Sequence, residues 1–340
     1  MLAEFNRGAL LSDITPETLA KTRILITGGT GFAGSHLAET LVTHGYTDIH
    51  VTSLSGELGY LSNTLKQDQV HKLDLSDFTA VQKLLTDLQP THIYHLAAHA
   101  AVGSSFDQSR LVLENNLKLQ LSMLETVRDF VPKARLLVVG SGMEYDLITH
   151  NQEKMISEMH PLGPVSPYAV SKVIQDLLGL SYAYSYNLDI VRVRPFNHIG
   201  ERQTADFAIP SFAKQIVAIE RGQQQEISVG NLDAVRDFTD VKDVCEAYVL
   251  VMEKGQTREV YNIGSGKGYT MQEMLDLLCQ LSTSQVKVQV DPTKVRPLDV
   301  PAIIADSSKI QQLGWQPKIN IKDTLQRILD EWRSKEEKSL

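Results

Sequence analysis

Three observations predict an α/β fold for this chain: a doubly wound parallel sheet with a smaller C-terminal domain. Short β-rich runs alternate with longer helical stretches from residue 23 to residue 265. Several of the runs are apolar almost throughout, Leu136-Leu137-Val138-Val139 among them, as expected where helices cover both faces of a sheet. A glycine-rich turn, TGGTGFAGSHL at 27–37, joins the first run to the first helical pattern.

Taken in order, residues 1–22 form an extension in which Pro16 suits the start of a short helix. Arg23-Ile24-Leu25-Ile26-Thr27 is the first strand. Further strands are expected at 48–54, 69–75, 92–98, 135–141, 189–196 and 259–265, with helices over 76–88, 108–131, 166–186 and 240–254. Segments 197–234 and 265–340 break this rhythm, with Pro210, Pro292, Pro297, Pro301 and Pro317 among short elements. The expected division is a larger domain of 23–196 with 235–264, and a second domain assembled from 197–234 and 265–340.

Within the glycine turn, Gly28, Gly31 and Gly34 recur at every third position. Such a turn uses glycine for tight curvature, for close approach of a pyrophosphate and for close packing of helix on strand. The helix N-terminus then offers free N–H groups to the phosphates. Strand before and helix after is the context that marks a Rossmann dinucleotide site. Ligands of these sheets lie beyond the carboxyl ends of the strands, and Gly28, Asp74, Ala97, Ala98, Ser141 and Asn197 all fall there.

Tyr168-Ala-Val-Ser-Lys172 opens one of the predicted helices. Residues four apart share a helix face, so a phenol and an ammonium stand side by side. A tyrosine ordinarily titrates near pKa ~10, and a neighbouring cation is expected to lower that value. The result is a phenol able to pass a proton near neutral pH, as interconversion of alcohols and ketones requires. Tyr-x-x-x-Lys alone recurs by chance in helices; the glycine turn and Ser141 give it weight.

The balance of 33 Lys and Arg against 41 Asp and Glu leaves a net charge of −8, without the basic stripe of a nucleic-acid binder. A few placed arginines still suffice for a phosphorylated substrate. Cys245 and Cys279 lack a pairing motif or a ligand cluster, so two free thiols in a reducing compartment and no bound metal are expected. No apolar run approaches the ~20 residues of a membrane span. Residues 1–22 lack the basic start and sustained apolar stretch of a signal peptide. The expected location is the cytoplasm, with neither nucleic acid nor membrane as partner.

Five segments resemble a known family: SPYAVSK at 166–172, RVRPFNHIGERQ at 192–203, VGNLDAVRDFTDVKDV at 229–244, YNIGSG at 261–266 and KVRPLDVPAIIADSSKIQQLGWQP at 294–317. Over roughly residues 22–335 the chain resembles the extended short-chain dehydrogenases/reductases of the nucleotide-sugar epimerase/dehydratase type. Within them it most resembles the GDP-mannose 4,6-dehydratase and GDP-4-keto-6-deoxy-D-mannose reductase branch. The resemblance implies that Tyr168 is the general acid or base, that Lys172 holds the nicotinamide ribose and tunes the phenol, and that Ser141 hydrogen-bonds the reacting oxygen. It implies a cofactor site of Gly28, Gly31, Phe32, Ala33, Gly34, Asp74, Leu75, Leu96, Ala97, Ala98, Tyr168, Lys172, Phe196 and His198, with Asp74 and Leu75 flanking the adenine. Asn197, Lys214, Val229, Arg236, Arg296 and Asp299 would bind the nucleotide sugar in the smaller, substrate-binding domain, the two arginines neutralising phosphate. A homodimer is expected as well, because Leu177, Leu178, Leu180, Tyr182 and Tyr184 exceed what one buried helix face needs.

Two departures from the family pattern refine these expectations. Aligned on Tyr145, the position where the dehydratases carry a catalytic glutamate is Met143, and a thioether cannot remove a proton. Glu144 is adjacent, but in an extended segment it would point to the opposite side. At the end of the second strand, Val51-Thr52-Ser53-Leu54-Ser55 holds neither the acid of NAD-binding relatives nor an arginine. Hydroxyls of Thr52 and Ser53 would suit a 2′-phosphate, so NADPH is favoured and NADH is possible. Leu119 stands where relatives often carry a smaller residue. The expected reaction is reduction of the 4-keto group of GDP-4-keto-6-deoxy-D-mannose to GDP-D-rhamnose. A GDP-mannose 4,6-dehydratase, a nucleotide-sugar 4-epimerase and a non-catalytic nucleotide sensor remain the alternatives, and the guanine base rests on the resemblance alone.

Overall fold

The computed structural model describes residues 15–100, 105–149, 155–294, 300 and 302–337. A short helix, α1 (Pro16–Lys21), begins the described chain, capped by the Thr15 hydroxyl with Pro16 in its first turn. Then come β1 (Arg23–Thr27), β2 (Asp48–Ser53), β3 (Val70–Lys72), β4 (His92–His95), β5 (Arg135–Val139) and β6 (Ile190–Pro195). The chain leaves the sheet through β7 (Asn197–Ile199), β8 (Glu226–Val229) and β9 (Val235–Asp240), and returns as β10 (Val260–Ile263). The seven-stranded sheet has the order β10-β6-β5-β4-β1-β2-β3 and is parallel throughout. This is the doubly wound sheet expected from the alternation.

Helices cover both faces because neighbouring strand residues point opposite ways. Ile24 and Ile26 pack with Leu37 and Leu41 of α2 (Phe32–Thr43), and with Val244 and Tyr248 of the helix Val241–Lys254. Leu25, between them, packs on the other face with α3 (Phe78–Leu88) and α4 (Ser109–Phe130), through Val81, Leu85, Met123 and Val127. The last helix on that face is α5 (Pro167–Ser185). Strands β4 and β5 stop short of the apolar runs that announced them. Beyond β4 the backbone turns off, and the Ala97 N–H donates to the Thr27 hydroxyl at 3.1 Å rather than to a neighbouring strand. Loops thus replace strand at 96–98 and 140–141, and they open the cleft.

The second body has its own core, in which Phe212 and Ile216 of α6 (Ala208–Glu220) meet Ile227, Leu275 and Ile328. Its small sheet is built on β9, which pairs with β7, with Gly268–Thr270 and with Ala302–Ile303. The two bodies exchange pieces. Residues 235–240 lie in the small sheet, whereas Ile310 and Trp315 join the core of the large one. The Trp315 indole N–H donates to the Asp243 carbonyl at 2.9 Å.

Candidate active site

At the carboxyl ends of the parallel strands, facing the second body, lies a cleft of ≈ 1160 Å³. A single small ligand commonly fills ~300–1,000 Å³, so this space is large enough for an extended one.

The glycine turn forms one end. Gly28 has φ +64°, a conformation that L side chains rarely adopt. A Cβ at Gly34 would stand 2.4 Å from the Gly28 carbonyl oxygen and 2.7 Å from the Gly29 Cα. No side chain caps the N-terminus of α2 at Gly31, so its first-turn N–H groups face the cleft as anion donors. Both features fit a pyrophosphate, and they are the reason this end suits a dinucleotide. Phe32, Ala33, Leu96, Ala97, Ala98, Asp74 and Leu75 line the same wall. His198 stacks on Phe32 with ring centroids 5.8 Å apart, and burial holds its pKa below the ordinary histidine value. The Thr52 hydroxyl accepts the Gly28 N–H at 3.1 Å and braces the turn, which leaves its own O–H to donate in the cleft wall. Ser53 and Ser55 remain at that corner, with their hydroxyls 3.1 Å apart.

The catalytic candidates come together in the middle of the cleft. Ser166 caps α5 by accepting the Ala169 N–H at 3.1 Å, with Pro167 in the first turn. The capped helix carries Tyr168 and Lys172 on one face, both in the cleft wall with Ser141. The Ser141 hydroxyl accepts the Met143 N–H at 3.2 Å and lines the same wall as the phenol. The expected lowering of the phenol pKa does not occur in this structure. Burial pushes Tyr168 up to about 12, outweighing the downward pull of the Ser141 hydroxyl. The Lys172 ammonium donates to the Val139 carbonyl at 2.8 Å. Burial in turn pulls Lys172 down to about 8, against the upward pull of Glu144 and Asp176.

The segment after Ser141 is a 3₁₀ turn, Gly142–Glu144, rather than the extended run assumed from the sequence. Even so, Met143 lines the cleft while Glu144 is fully buried behind it. On the second body, Asn197, Val229 and Arg236 line the cleft. Arg236 is held by Nη1 donating to the Val235 and Val300 carbonyls, each at 2.8 Å. Lys214 lies elsewhere: it is exposed on α6, its ammonium 5.6 Å from the Trp332 ring centroid. Arg296 and Asp299 fall outside the described residues.

Residues 25–328 match the family described as GDP-mannose 4,6 dehydratase. The chain belongs to this family. It is therefore an enzyme of the extended short-chain dehydrogenase/reductase class. A relative, the GDP-6-deoxy-D-mannose reductase of Pseudomonas aeruginosa, is 29% identical over 315 residues, covering 92% of this chain and 98% of the relative. The structure of RMD from Pseudomonas aeruginosa complexed with NADPH superposes with a TM-score of 0.79 at 28% identity, covering 92% of this chain and 99% of that one. The Thermus thermophilus UDP-glucose 4-epimerase complexed with NAD gives a TM-score of 0.78 at 28% identity, over 92% and 99% of the two chains. These likenesses and the glycine turn support a nicotinamide cofactor for this family member.

Sequence reasoning passed over the charged residues behind the site. Asp176 takes Arg192 Nη1 at 3.0 Å and Arg194 Nη2 at 2.6 Å, all three side chains buried. Periodicity held a signal for them. Tyr168, Lys172 and Asp176 recur at a helical spacing of four, and Arg192 and Arg194 share one face of β6. Among the described residues no group of His, Cys, Asp and Glu could hold a metal, and no helix is long and apolar enough to cross a membrane.

Proposed function

We propose that this enzyme reduces the 4-keto group of a GDP-linked 6-deoxy-hexulose, taking GDP-4-keto-6-deoxy-D-mannose to GDP-D-rhamnose. The observation that carries the reading is Met143 in the cleft wall, where the family resemblance puts the dehydratase glutamate, with the adjacent Glu144 buried out of reach. Dehydration needs a group there to take the C5 proton and assist loss of the C6 hydroxyl. A ketone reduction needs none.

When bound, the nicotinamide cofactor supplies the hydride for C4. The hydroxyls of Ser141 and Tyr168 donate hydrogen bonds to the carbonyl oxygen as negative charge grows on it. Tyr168 then gives its proton to that oxygen, and the Lys172 ammonium steadies the phenolate left behind. A phenol with its pKa at about 12 is protonated at neutral pH, the form a proton donor requires. The second body carries the sugar nucleotide, with Asn197 and Arg236 at the diphosphate and Val229 against the nucleoside. NADPH is the favoured cofactor, and the hydroxyls of Thr52 and Ser53, with Ser55 beside them, would hold its 2′-phosphate. A homodimer forms through α4 and α5, since Leu177 and Tyr184 remain 45% and 64% exposed on α5. The two unpaired thiols accord with a cytoplasmic setting.

The test is the near-ultraviolet absorbance of the reduced nicotinamide, followed with purified enzyme, NADPH or NADH, and freshly generated GDP-4-keto-6-deoxy-mannose. Stoichiometric loss is the expected result, faster with NADPH. Absence of loss, together with conversion of GDP-mannose without net cofactor use, overturns the reading in favour of the dehydratase.

A further inference from the structure

The core of the second body reaches the wall of the cleft. Phe212, Val229, Ala234 and Met271 are buried members of that core, and they line the cleft as well. An apolar wall with a few polar groups at its edge suits a planar ring. The polar groups stand toward the carboxyl end of β8, where Ser228, Gly230 and Lys294 also line the cleft.

Lys294 is held there by a hydrogen-bonded turn. Strand β8 pairs in parallel with Lys287–Val290, and the Asp291 N–H that follows donates to the Val229 carbonyl at 2.7 Å. The Asp291 carboxylate accepts the Ser228 hydroxyl at 3.2 Å and the Thr293 N–H at 2.9 Å. The Lys294 N–H donates to the Asp291 carbonyl at 3.0 Å and closes the turn. Gly230 lets the turn lie close: a Cβ there would stand 2.7 Å from the Lys294 carbonyl oxygen. The lysine side chain folds back, and its ammonium donates to the Ser228 carbonyl at 3.0 Å. Ser228 is in turn fixed to α6, its N–H donating to Gln215 Oε1 at 2.8 Å.

An ammonium has three donors and no acceptor. One is used on Ser228, which leaves two for a ligand at this end of the cleft. Guanine carries a ring carbonyl where adenine carries an amino group, and the pyrimidines divide in the same way, with an oxo group against the amino group of cytosine. A group that only donates pairs with the oxo bases and is opposed by the amino bases. We infer that Lys294 is a specificity-determining residue, whose ammonium donates to the ring carbonyl of a base lying against Phe212 and Val229, and so selects guanine or uracil nucleotides over adenine and cytosine ones. The inference rests on the reading that the second body carries the sugar nucleotide, with Arg236 at its diphosphate; it does not rest on the reductase reaction.

Isothermal titration calorimetry with the diphosphates GDP, UDP, ADP and CDP tests this without turnover, with saturating NADP⁺ present so that ADP does not enter the glycine end. The parent should bind GDP at least about tenfold more tightly than ADP. In Lys294→Met, GDP should weaken by at least about fivefold, the loss of a charge-assisted hydrogen bond, while ADP stays within about twofold. Lys294→Arg keeps the donors and should keep the preference for GDP. Lys294 is exposed, so both variants should melt like the parent, and the parent comparison of GDP with ADP needs no variant. Equal losses for GDP and ADP in Lys294→Met overturn the proposal, because the ammonium then serves a phosphate that both share. An unchanged GDP affinity overturns it too, as does a parent that binds ADP as tightly as GDP. If the parent prefers UDP, and UDP is what Lys294→Met weakens, the GDP-linked reading falls and the role of Lys294 stands.

Discussion

At the glycine end of the cleft the constraint is steric, and at the α5 end it is electrostatic. Gly34 sits where a single methyl would meet two backbone atoms of the turn. Tyr168 and Lys172, elsewhere in the wall of the same cleft, owe their shifted pKa values first to burial and then to their hydrogen-bonding and charged neighbours. The first wall shapes a place for phosphates, and the second sets which groups hold protons. Substitutions should therefore fail differently at the two ends.

The largest effect is expected at the electrostatic wall. Tyr168→Phe should lower kcat by about 10²–10⁴-fold, the range for loss of general acid–base catalysis, while cofactor affinity measured by fluorescence titration stays near the parent value. Retained turnover would remove Tyr168 from the mechanism. At the steric wall the pattern reverses. Gly34→Ala should lose cofactor affinity by at least about tenfold and stability by about 1–3 kcal/mol, because backbone atoms at 2.4 and 2.7 Å cannot swing aside. A variant that bound and melted like the parent would show that the turn relaxes, and the contrast would collapse.

Lys172→Met sharpens the contrast through stability. The folded-state pKa of Lys172 is lowered from 10.5 to about 8, so between those values the folded chain binds fewer protons than the unfolded chain. This residue's contribution to stability therefore rises with pH across that window, and below it the buried ammonium is a net cost. The variant should be inactive yet have a higher Tm at neutral pH, and calorimetry should find the rise between pH ~8 and ~10.5 flattened. An equal or lower Tm at neutral pH would argue that the ammonium is fully compensated in place. The smallest effect belongs to neither wall: Lys214→Ala should leave KM within about twofold and stability within about 0.5 kcal/mol. A large rise in KM would restore Lys214 to the substrate site that its position on α6 removes it from.

Much of this was legible in the sequence, for local reasons. The strands β1, β5 and β10 announce themselves by apolar runs, and their helices by periodicity. The glycine turn is readable because its demand falls on residues adjacent in the chain, as does the Ser166 cap that sets Tyr168 and Lys172 on one face. Thr52 has a further role that its position does not announce: its hydroxyl accepts the N–H of Gly28, from the turn after the neighbouring strand. Glu144 was set aside on an assumed extended backbone. It does face away from the cleft, but through a 3₁₀ turn that the Ser141–Glu144 hydrogen bonds close.

The sequence alone determined the doubly wound sheet, the place of the phosphate turn and the pairing of Tyr168 with Lys172, since periodicity, glycine spacing and helical pitch act over a few residues. Only the tertiary structure decided which protonation states those residues hold and which charges stand behind them. Desolvation and buried ion pairs depend on atoms brought together from α5, β6 and the turn after β5, and no spacing along one segment encodes how deeply another will cover it.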